Sequence, residues 1–206
     1  MKTNGRFNMD RSKLKRLVFL WVIAVAIAVL PISVARAAGN NKIRWDIPSI
    51  DFATTPLTFS PGGHATAIAN DGTSITLTGS GTFSANSGKP QNVTGGGTWE
   101  TATGGGTYKV TGFVSFVLAP APSPSVPFID NLCSDCLLHS GLAVLRIAYS
   151  DGSDGVLFIS CNVPGEGTPL TVFEGITVSK DSIDYWNRHN PVPGVDGNRT
   201  AINILQ

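Results

Sequence analysis

The sequence predicts an all-β protein, built as a single antiparallel barrel or sandwich with one or two short helices. Apolar and polar residues alternate with a period of two over much of the chain after residue 38, which is typical of half-buried strands. Turn-forming pairs such as Asp-Gly separate these stretches. The chain has 23 Gly and 13 Pro and only 14% charged residues, unlike a helical bundle or a charged disordered chain.

Residues 1–37 have the pattern of an export signal peptide. Basic residues at 13–16 precede an apolar run over 17–30, and Ala35-Arg36-Ala37 supplies the small residues that a signal peptidase recognises. Cleavage after Ala37 is therefore expected, with translation starting at Met1 or Met9. The general secretory route is favoured, which predicts a periplasmic or extracellular protein without a stable membrane anchor. An uncleaved anchor is the alternative, because residues 17–34 are about the minimum for a membrane span.

Residues 1–37 differ from the rest of the chain in net charge. Seven of the fifteen basic residues but one of the fourteen acids lie in residues 1–37, so residues 38–206 carry a net charge of −5. This length predicts a single β-rich domain, with the proline-rich stretch 119–127 as a loop inside it. An acidic domain lacks the basic surface of general nucleic-acid binding, so no nucleic-acid partner is expected.

The first predicted hairpin surrounds Asp71-Gly72. Strands His64–Asn70 and Thr73–Gly79 would flank a two-residue turn, which places Ile68 opposite Ile75 on the buried face. The other predicted strands are Thr107–Val117, a hairpin of 143–149 with 156–161, Thr171–Ser179 and Thr200–Leu205. The long strand would carry the side chains of Tyr108, Val110, Val114 and Phe116 on one face.

Two short helices are predicted from capping residues. Asp130 would cap a helix that ends at Gly141, and Ser179 would cap a second helix through Asn187.

A Thr-Gly-x-Gly-Thr-aromatic motif occurs three times, at 78–83, 94–99 and 103–108. The spacings are unequal, so the motif does not indicate a solenoid. We expect the glycines to allow close backbone approach, and aromatic side chains to cover the bare backbone.

The three cysteines allow three interpretations. A disulfide of Cys161 with Cys133 or Cys136 is favoured, because exported proteins oxidise their cysteines. Zinc binding by Cys133, Cys136, His139 and Cys161 is the second interpretation. A redox-active Cys133–Cys136 pair is the third. No cofactor is predicted.

Carboxylates and aromatic residues supply the remaining candidate sites. Glu174, Asp181 and Asp184 lie near Trp186, and paired acids beside aromatic rings suit sugar binding or glycoside hydrolysis. A barrel mouth or sheet face that carries Trp99, Tyr108 and Trp186 would be the ligand site.

Segments 141–152, 172–178 and 184–187 resemble parts of exported bacterial proteins of uncharacterised activity. The resemblance implies an exported β-rich protein and assigns no functional residue. The leading hypothesis is a non-catalytic binding or interaction module for a small molecule, glycan or envelope partner. The alternatives are a small cell-envelope hydrolase that uses Glu174, Asp181 or Asp184, and a structural envelope protein.

Overall fold

Strands account for the regular secondary structure of the computed structural model, which describes residues 42–85, 92–119, 127–163, 173–190 and 198–205. The predicted signal peptide, both candidate start residues and most of the proline-rich loop lie outside these ranges. Within them the chain is all-β and contains no helix, so the predicted fold class is confirmed at this level. No helix of the described residues is long and apolar enough to cross a membrane.

Sixteen strands follow one another along the described part of the chain. They are Lys42–Asp46 (β1), Ser49–Asp51 (β2), Leu57–Ser60 (β3), Ala65–Ile68 (β4), Ser74–Leu77 (β5), Ser80–Ser84 (β6), Thr94–Thr101 (β7), Gly104–Leu118 (β8), Phe128–Asp130 (β9), Cys136–Leu138 (β10), Gly141–Tyr149 (β11), Asp154–Cys161 (β12), Gly175–Lys180 (β13), Ile183–Tyr185 (β14), Asn187–Arg188 (β15) and Ala201–Leu205 (β16).

Thirteen of these strands form one large antiparallel sheet. Its main path runs β10–β16–β1–β6–β7–β8–β11–β12–β13–β14. Strand β5 pairs with β7 and β4, and β4 also pairs with β15. The other three strands form a small sheet in which β2 and β3 are antiparallel and β3 and β9 are parallel. The rings of Phe59 and Phe128 pack edge to face in this small sheet, with centroids 5.4 Å apart.

The core follows from the alternation of apolar residues along the large sheet. Its largest fully buried side chains are Trp45, Phe83, Ile43, Ile47, Ile75, Leu77, Leu145, Ile147, Leu157, Ile159, Ile176 and Ile202. The Trp45 ring lies over Gly81 and Gly95, where an added Cβ would come within 2.8 and 3.0 Å of the indole. Glycine therefore provides the space for this ring. An added Cβ at Gly106 would likewise come within 3.0 Å of the indole nitrogen of Trp99, so an aromatic residue of the repeated motif also covers its glycine backbone.

The first predicted hairpin forms, but its register is shifted by one residue. Ala69 N–H donates to Thr73 O at 2.8 Å, so Asn70-Asp71-Gly72 is a three-residue turn, with Gly72 at a φ of +88°. Ala67 consequently pairs with Ile75. The predicted pairing of Ile68 with Ile75 is wrong, because the turn contains one residue more than expected.

The second predicted hairpin pairs as expected, with β11 against β12. It uses the same kind of turn, since Tyr149 N–H donates to Ser153 O at 2.8 Å and Gly152 has a φ of +93°. The last predicted strands are present as β13 and β16, and residues 171–172 of the predicted range lie outside the described residues.

The long strand β8 differs from its prediction in the residues that face inward. Its register against β11 shifts twice, and Val114 and Thr111 are passed over. Val114 is 48% exposed as a result, whereas Phe113 packs on Phe83 with ring centroids 5.2 Å apart. The predicted placement of Val114 on the same face as Tyr108 is therefore wrong, because β-bulges change which side chains of the strand face the core.

Both predicted helices are wrong, because their capping residues make other hydrogen bonds. The Asp130 carboxylate accepts from Leu132 N–H at 2.8 Å and closes a local turn after β9. The Ser179 hydroxyl accepts from Val156 N–H at 3.0 Å, from a neighbouring strand. Side chains that favour helix caps serve equally well in turns and between strands.

Candidate functional site

A cavity of about 130 Å³ is lined by residues of the small sheet and of the large sheet. Apolar side chains form most of its wall, and a few polar groups lie among them. The lining residues from the small sheet and its loop are Ile50, Phe52, Leu57, Phe59 and Phe128. The others are Leu138, Cys161, Asn162, Val163, Glu174, Arg199 and Thr200. We call this space the Glu174 cavity.

The Glu174 carboxylate is held by two main-chain donors. Its Oε2 accepts from Asn162 N–H at 2.5 Å, and its Oε1 accepts from Thr200 N–H at 2.7 Å. The Thr200 hydroxyl oxygen lies 3.3 Å from the same Oε1, and its one hydrogen is donated to Ser160 O at 2.6 Å. The residue is only 7% exposed, so these bonds satisfy a buried group. The carboxyl is thereby fixed in the cavity wall.

Burial changes the acid–base properties of this wall. It raises the pKa of Glu174 to about 7, although the donors from Thr200 and Asn162 and the charge of Arg199 act in the opposite direction. Burial also raises the pKa of the Cys161 thiol, and the nearby Glu174 adds to this effect. Cys161 is consequently a neutral thiol at physiological pH, which makes it a poor nucleophile.

Arg199 brings a positive charge to the cavity. Its side chain is half-buried and lines the space, and no described residue gives it a hydrogen bond or an ion pair. Arg44 is different, since it forms a two-bond pair with Asp46 at 2.7 Å per bond. Arg199 therefore presents hydrogen-bond donors that the described part of the protein leaves unused.

The predicted acids are not brought together. Glu174 precedes β13, whereas Asp181 and Asp184 lie at the hairpin beyond its other end, where Asp184 pairs with Ser179. Asp184 lies opposite Ser179, which is five residues along the chain from Glu174, roughly 17 Å at 3.3 Å per residue, and Asp181 lies farther along the chain. Glycosidases use carboxyl groups about 5–10 Å apart, so Glu174 does not form such a pair with Asp181 or Asp184.

Trp99 lies at a second, more open depression of about 380 Å³. Its ring is covered by Lys180, whose Nζ is 4.6 Å from the ring centroid and 2.5 Å from an oxygen of Asp151. Trp99 is only 6% exposed, so its face is already occupied by this lysine. Asp181 and Tyr185 also line the depression, and we call it the Trp99 groove.

The other two predicted ligand-binding aromatics lie elsewhere. Tyr108 is 2% exposed, and its hydroxyl donates to Thr78 O at 2.8 Å within the core. Trp186 is 62% exposed on the surface and touches Phe158, with ring centroids 6.4 Å apart. Trp99, Tyr108 and Trp186 therefore do not line one site.

The structure pairs Cys133 with Cys136 and leaves Cys161 as a buried thiol. The predicted disulfide of Cys161 with Cys133 or Cys136 is thus corrected. A turn at Ser134-Asp135 brings the two Cα atoms to 5.5 Å, a distance that suits a disulfide. With both sulfurs in this bond, the predicted set with His139 loses two zinc ligands. No cluster of three metal-binding side chains occurs in the described ranges.

The sequence interpretation singled out Glu174 and missed the residues around it. Arg199 is an isolated basic residue ahead of a strand, and Phe52, Phe59 and Phe128 follow no distinctive motif. The cavity arises because the parallel pairing of β3 with β9 brings distant segments together, which local patterns do not indicate.

No protein-family model matches the chain, and the searches found no curated protein or solved structure with significant similarity.

Proposed function

We propose that the chain, once exported, is a non-catalytic binding module for a small apolar molecule. The observation that supports this function is the Glu174 cavity, an apolar space with a few fixed polar groups. Such spaces are the usual form of small-molecule sites.

The size of the cavity limits the ligand. An apolar cavity of about 150 Å³ holds one benzene molecule, and the present cavity measures about 130 Å³. A single ring or a short branched chain therefore fits. Phe52 is 55% exposed, which leaves an aromatic ring available at the edge of the site.

The strand order also supports a barrel rather than a sandwich as the framework of this site. Strands β4, β5, β7, β8, β11, β12, β13 and β14 pair in sequence. After Trp186, the chain continues into β15, which pairs with β4. The Asn198 side chain adds a link, since its Oδ1 accepts from Thr66 N–H at 2.7 Å and its amide donates to His189 O. We therefore infer a curved sheet whose two ends meet.

A small hydrolase that uses Glu174 is the second candidate. A carboxyl group with a pKa of about 7 is suited to general acid–base catalysis at neutral pH. This candidate is weaker because both carboxylate oxygens already accept hydrogen bonds from the main chain. It predicts a pH-dependent activity that Glu174→Gln abolishes while folding is retained.

Binding of fluorobenzene, followed by ¹⁹F NMR on the purified protein, tests the proposed function. Leu57→Trp and Leu138→Phe place additional side-chain volume in the cavity wall, and Val114→Trp adds a ring on the exposed side of β8 as the matched control. We expect the wild type and Val114→Trp to bind, and the two cavity variants to lose binding. Circular dichroism identifies any variant that fails to fold. Absence of binding to the wild type, or unchanged binding by both folded cavity variants, would contradict the proposal.

A further inference from the structure

We propose that the ligand of the Glu174 cavity is a small apolar carboxylate, and that Arg199 binds its head group. This inference rests on the proposed function and specifies the class of ligand.

Arg199 provides the first argument. A half-buried guanidinium group that lines an apolar space needs an acceptor, because burial of a charge without hydrogen bonds is costly. None of the described residues supplies that acceptor by a hydrogen bond or an ion pair. A carboxylate matches the planar fork of arginine with two parallel hydrogen bonds. The ligand head group would thus complete an interaction that the described residues leave open.

The aromatic wall provides the second argument. The rings of Phe59 and Phe128 pack edge to face with their centroids 5.4 Å apart, and Phe52 lines the same cavity. These rings offer the apolar surface for the ligand tail, whereas Arg199 offers the charge for its head. A molecule that uses both parts of the wall must be amphipathic and short.

Glu174 provides the third argument, because its state decides whether an anion is repelled. Its oxygens accept main-chain hydrogen bonds from Asn162 and Thr200, so the ionised carboxylate does not need the ligand as a partner. Its pKa of about 7 leaves it neutral in mildly acidic solution, where a bound carboxylate would still be ionised. Above pH 7 the ionised Glu174 would repel the ligand carboxylate. It would also offset part of the positive charge of Arg199 that attracts the ligand.

The other titratable groups around the cavity do not alter this expectation. Cys161 is the remaining titratable group of the described wall, and it stays neutral because its pKa is raised by burial. His139 follows the lining residue Leu138, and burial lowers its pKa, which favours the neutral imidazole. Asp51 and Asp130 lie at the ends of β2 and β9, and neither lines the cavity.

Calorimetric titration with benzoate, benzyl alcohol and benzylamine tests the inference, since the three probes share a ring and differ in charge. At pH 6 we expect benzoate to bind at least about tenfold more tightly than benzyl alcohol. A hydrogen-bonded pair between the benzoate carboxylate and Arg199 is expected to raise the affinity by about that factor. Benzylamine should bind most weakly. At pH 8 the preference for benzoate should shrink.

Arg199→Gln should abolish the preference for benzoate over benzyl alcohol. Arg146→Gln, at an exposed arginine of β11, is the matched control and should behave as the wild type. If benzyl alcohol binds and Arg199→Gln leaves benzoate affinity unchanged, the inference is wrong but the proposed function stands. If fluorobenzene binds and none of these three probes does, the inference fails and the proposed function stands, whereas failure of fluorobenzene as well means that the proposed function itself fails. If benzylamine binds most tightly, the ligand is a cation and Glu174, rather than Arg199, selects it.

Discussion

Thr200 donates its main-chain N–H to one carboxylate oxygen of Glu174 at 2.7 Å, and its hydroxyl oxygen lies 3.3 Å from the same atom. The other oxygen of Glu174 accepts from Asn162 at 2.5 Å. One buried side chain thereby joins the segment after β12, the segment before β13 and the segment before β16. The protonation of Glu174 is consequently coupled to the stability of this part of the sheet.

The first prediction concerns the dependence of stability on pH. The pKa of Glu174 is about 7 in the folded protein and 4.5 as its ordinary value, so between these values the folded state holds a proton that the unfolded chain has lost. The free energy of unfolding should therefore fall by ~3 kcal/mol as the pH rises from 4.5 to 7, and level off above. Urea unfolding at half-unit pH steps measures this change.

Glu174→Gln isolates the contribution of this carboxyl group. The variant should be less stable than the wild type at pH 5, because its amide group faces the Asn162 N–H donor. The difference between the two proteins should narrow by pH 8. The titration of Asp46, whose pKa is raised by burial, changes the stability of both proteins equally. The pKa of Asp151 is lowered to about 2, so this group titrates below the pH range of the experiment. Parallel pH profiles of the two proteins would show that Glu174 is not the titrating group.

The second prediction concerns glycines in the repeated motif. A Cβ at Gly97 would lie 2.0 Å from Thr78 O, whereas a Cβ at Gly104 would meet nothing closer than 3.8 Å. Gly97→Ala should therefore lower the free energy of unfolding by about 3 kcal/mol or more, as other severe overpacking does. Gly104→Ala should stay within about 0.5 kcal/mol of the wild type. Equal thermal stability of both variants would show that β7 does not approach Thr78 so closely.

The third prediction concerns Lys180 above the Trp99 ring. Its Nζ lies 4.6 Å from that ring and 5.2 Å from the ring of Tyr149, so Lys180→Met should reduce stability by about 1 kcal/mol. Loss of its hydrogen bond should also raise the pKa of Asp151 from about 2 toward 3.8, although the bonds from Ser153 remain. Carboxyl NMR titration measures this shift. Lys109→Met, at an exposed lysine of β8, should change neither quantity.

The fourth prediction concerns the cysteines. Intact-mass analysis of the non-reduced protein should find a loss of two hydrogens, and peptide mapping should place the disulfide between Cys133 and Cys136. Cys161 should resist alkylation until the protein is unfolded, because it is 2% exposed. A disulfide-linked peptide that contains Cys161 would contradict this pairing.

The sequence predicts the fold class because alternation and turn residues are local signals. The β11–β12 hairpin was predictable, since two apolar strands flank Ser150–Gly155. The register around Asp71-Gly72 was not, because the same pair serves a two-residue turn or a three-residue turn. Asp130 and Ser179 were misassigned as helix caps, because their oxygens accept main-chain N–H groups equally well outside helices.

The candidate site could be predicted only in part. Glu174 was noticed as a carboxylate near aromatic residues, but the partners suggested for it lie at the other end of β13. Its true neighbours, Asn162, Arg199 and Thr200, come from segments that only the tertiary fold brings together. Burial, which controls the pKa of Glu174, is likewise a property of the assembled sheets.

The position of β16 has a consequence for the order in which the protein folds. On one side β16 pairs with β1, where Ile204 lies opposite Ile43, and on the other side it pairs with β10. A growing chain cannot form either ladder until residues 201–205 have been synthesised. Closing so long a loop is entropically costly, and sheets that rely on distant pairings fold slowly. Assembly of this edge is therefore a late step of folding, and β1 and β10 remain incompletely paired until then.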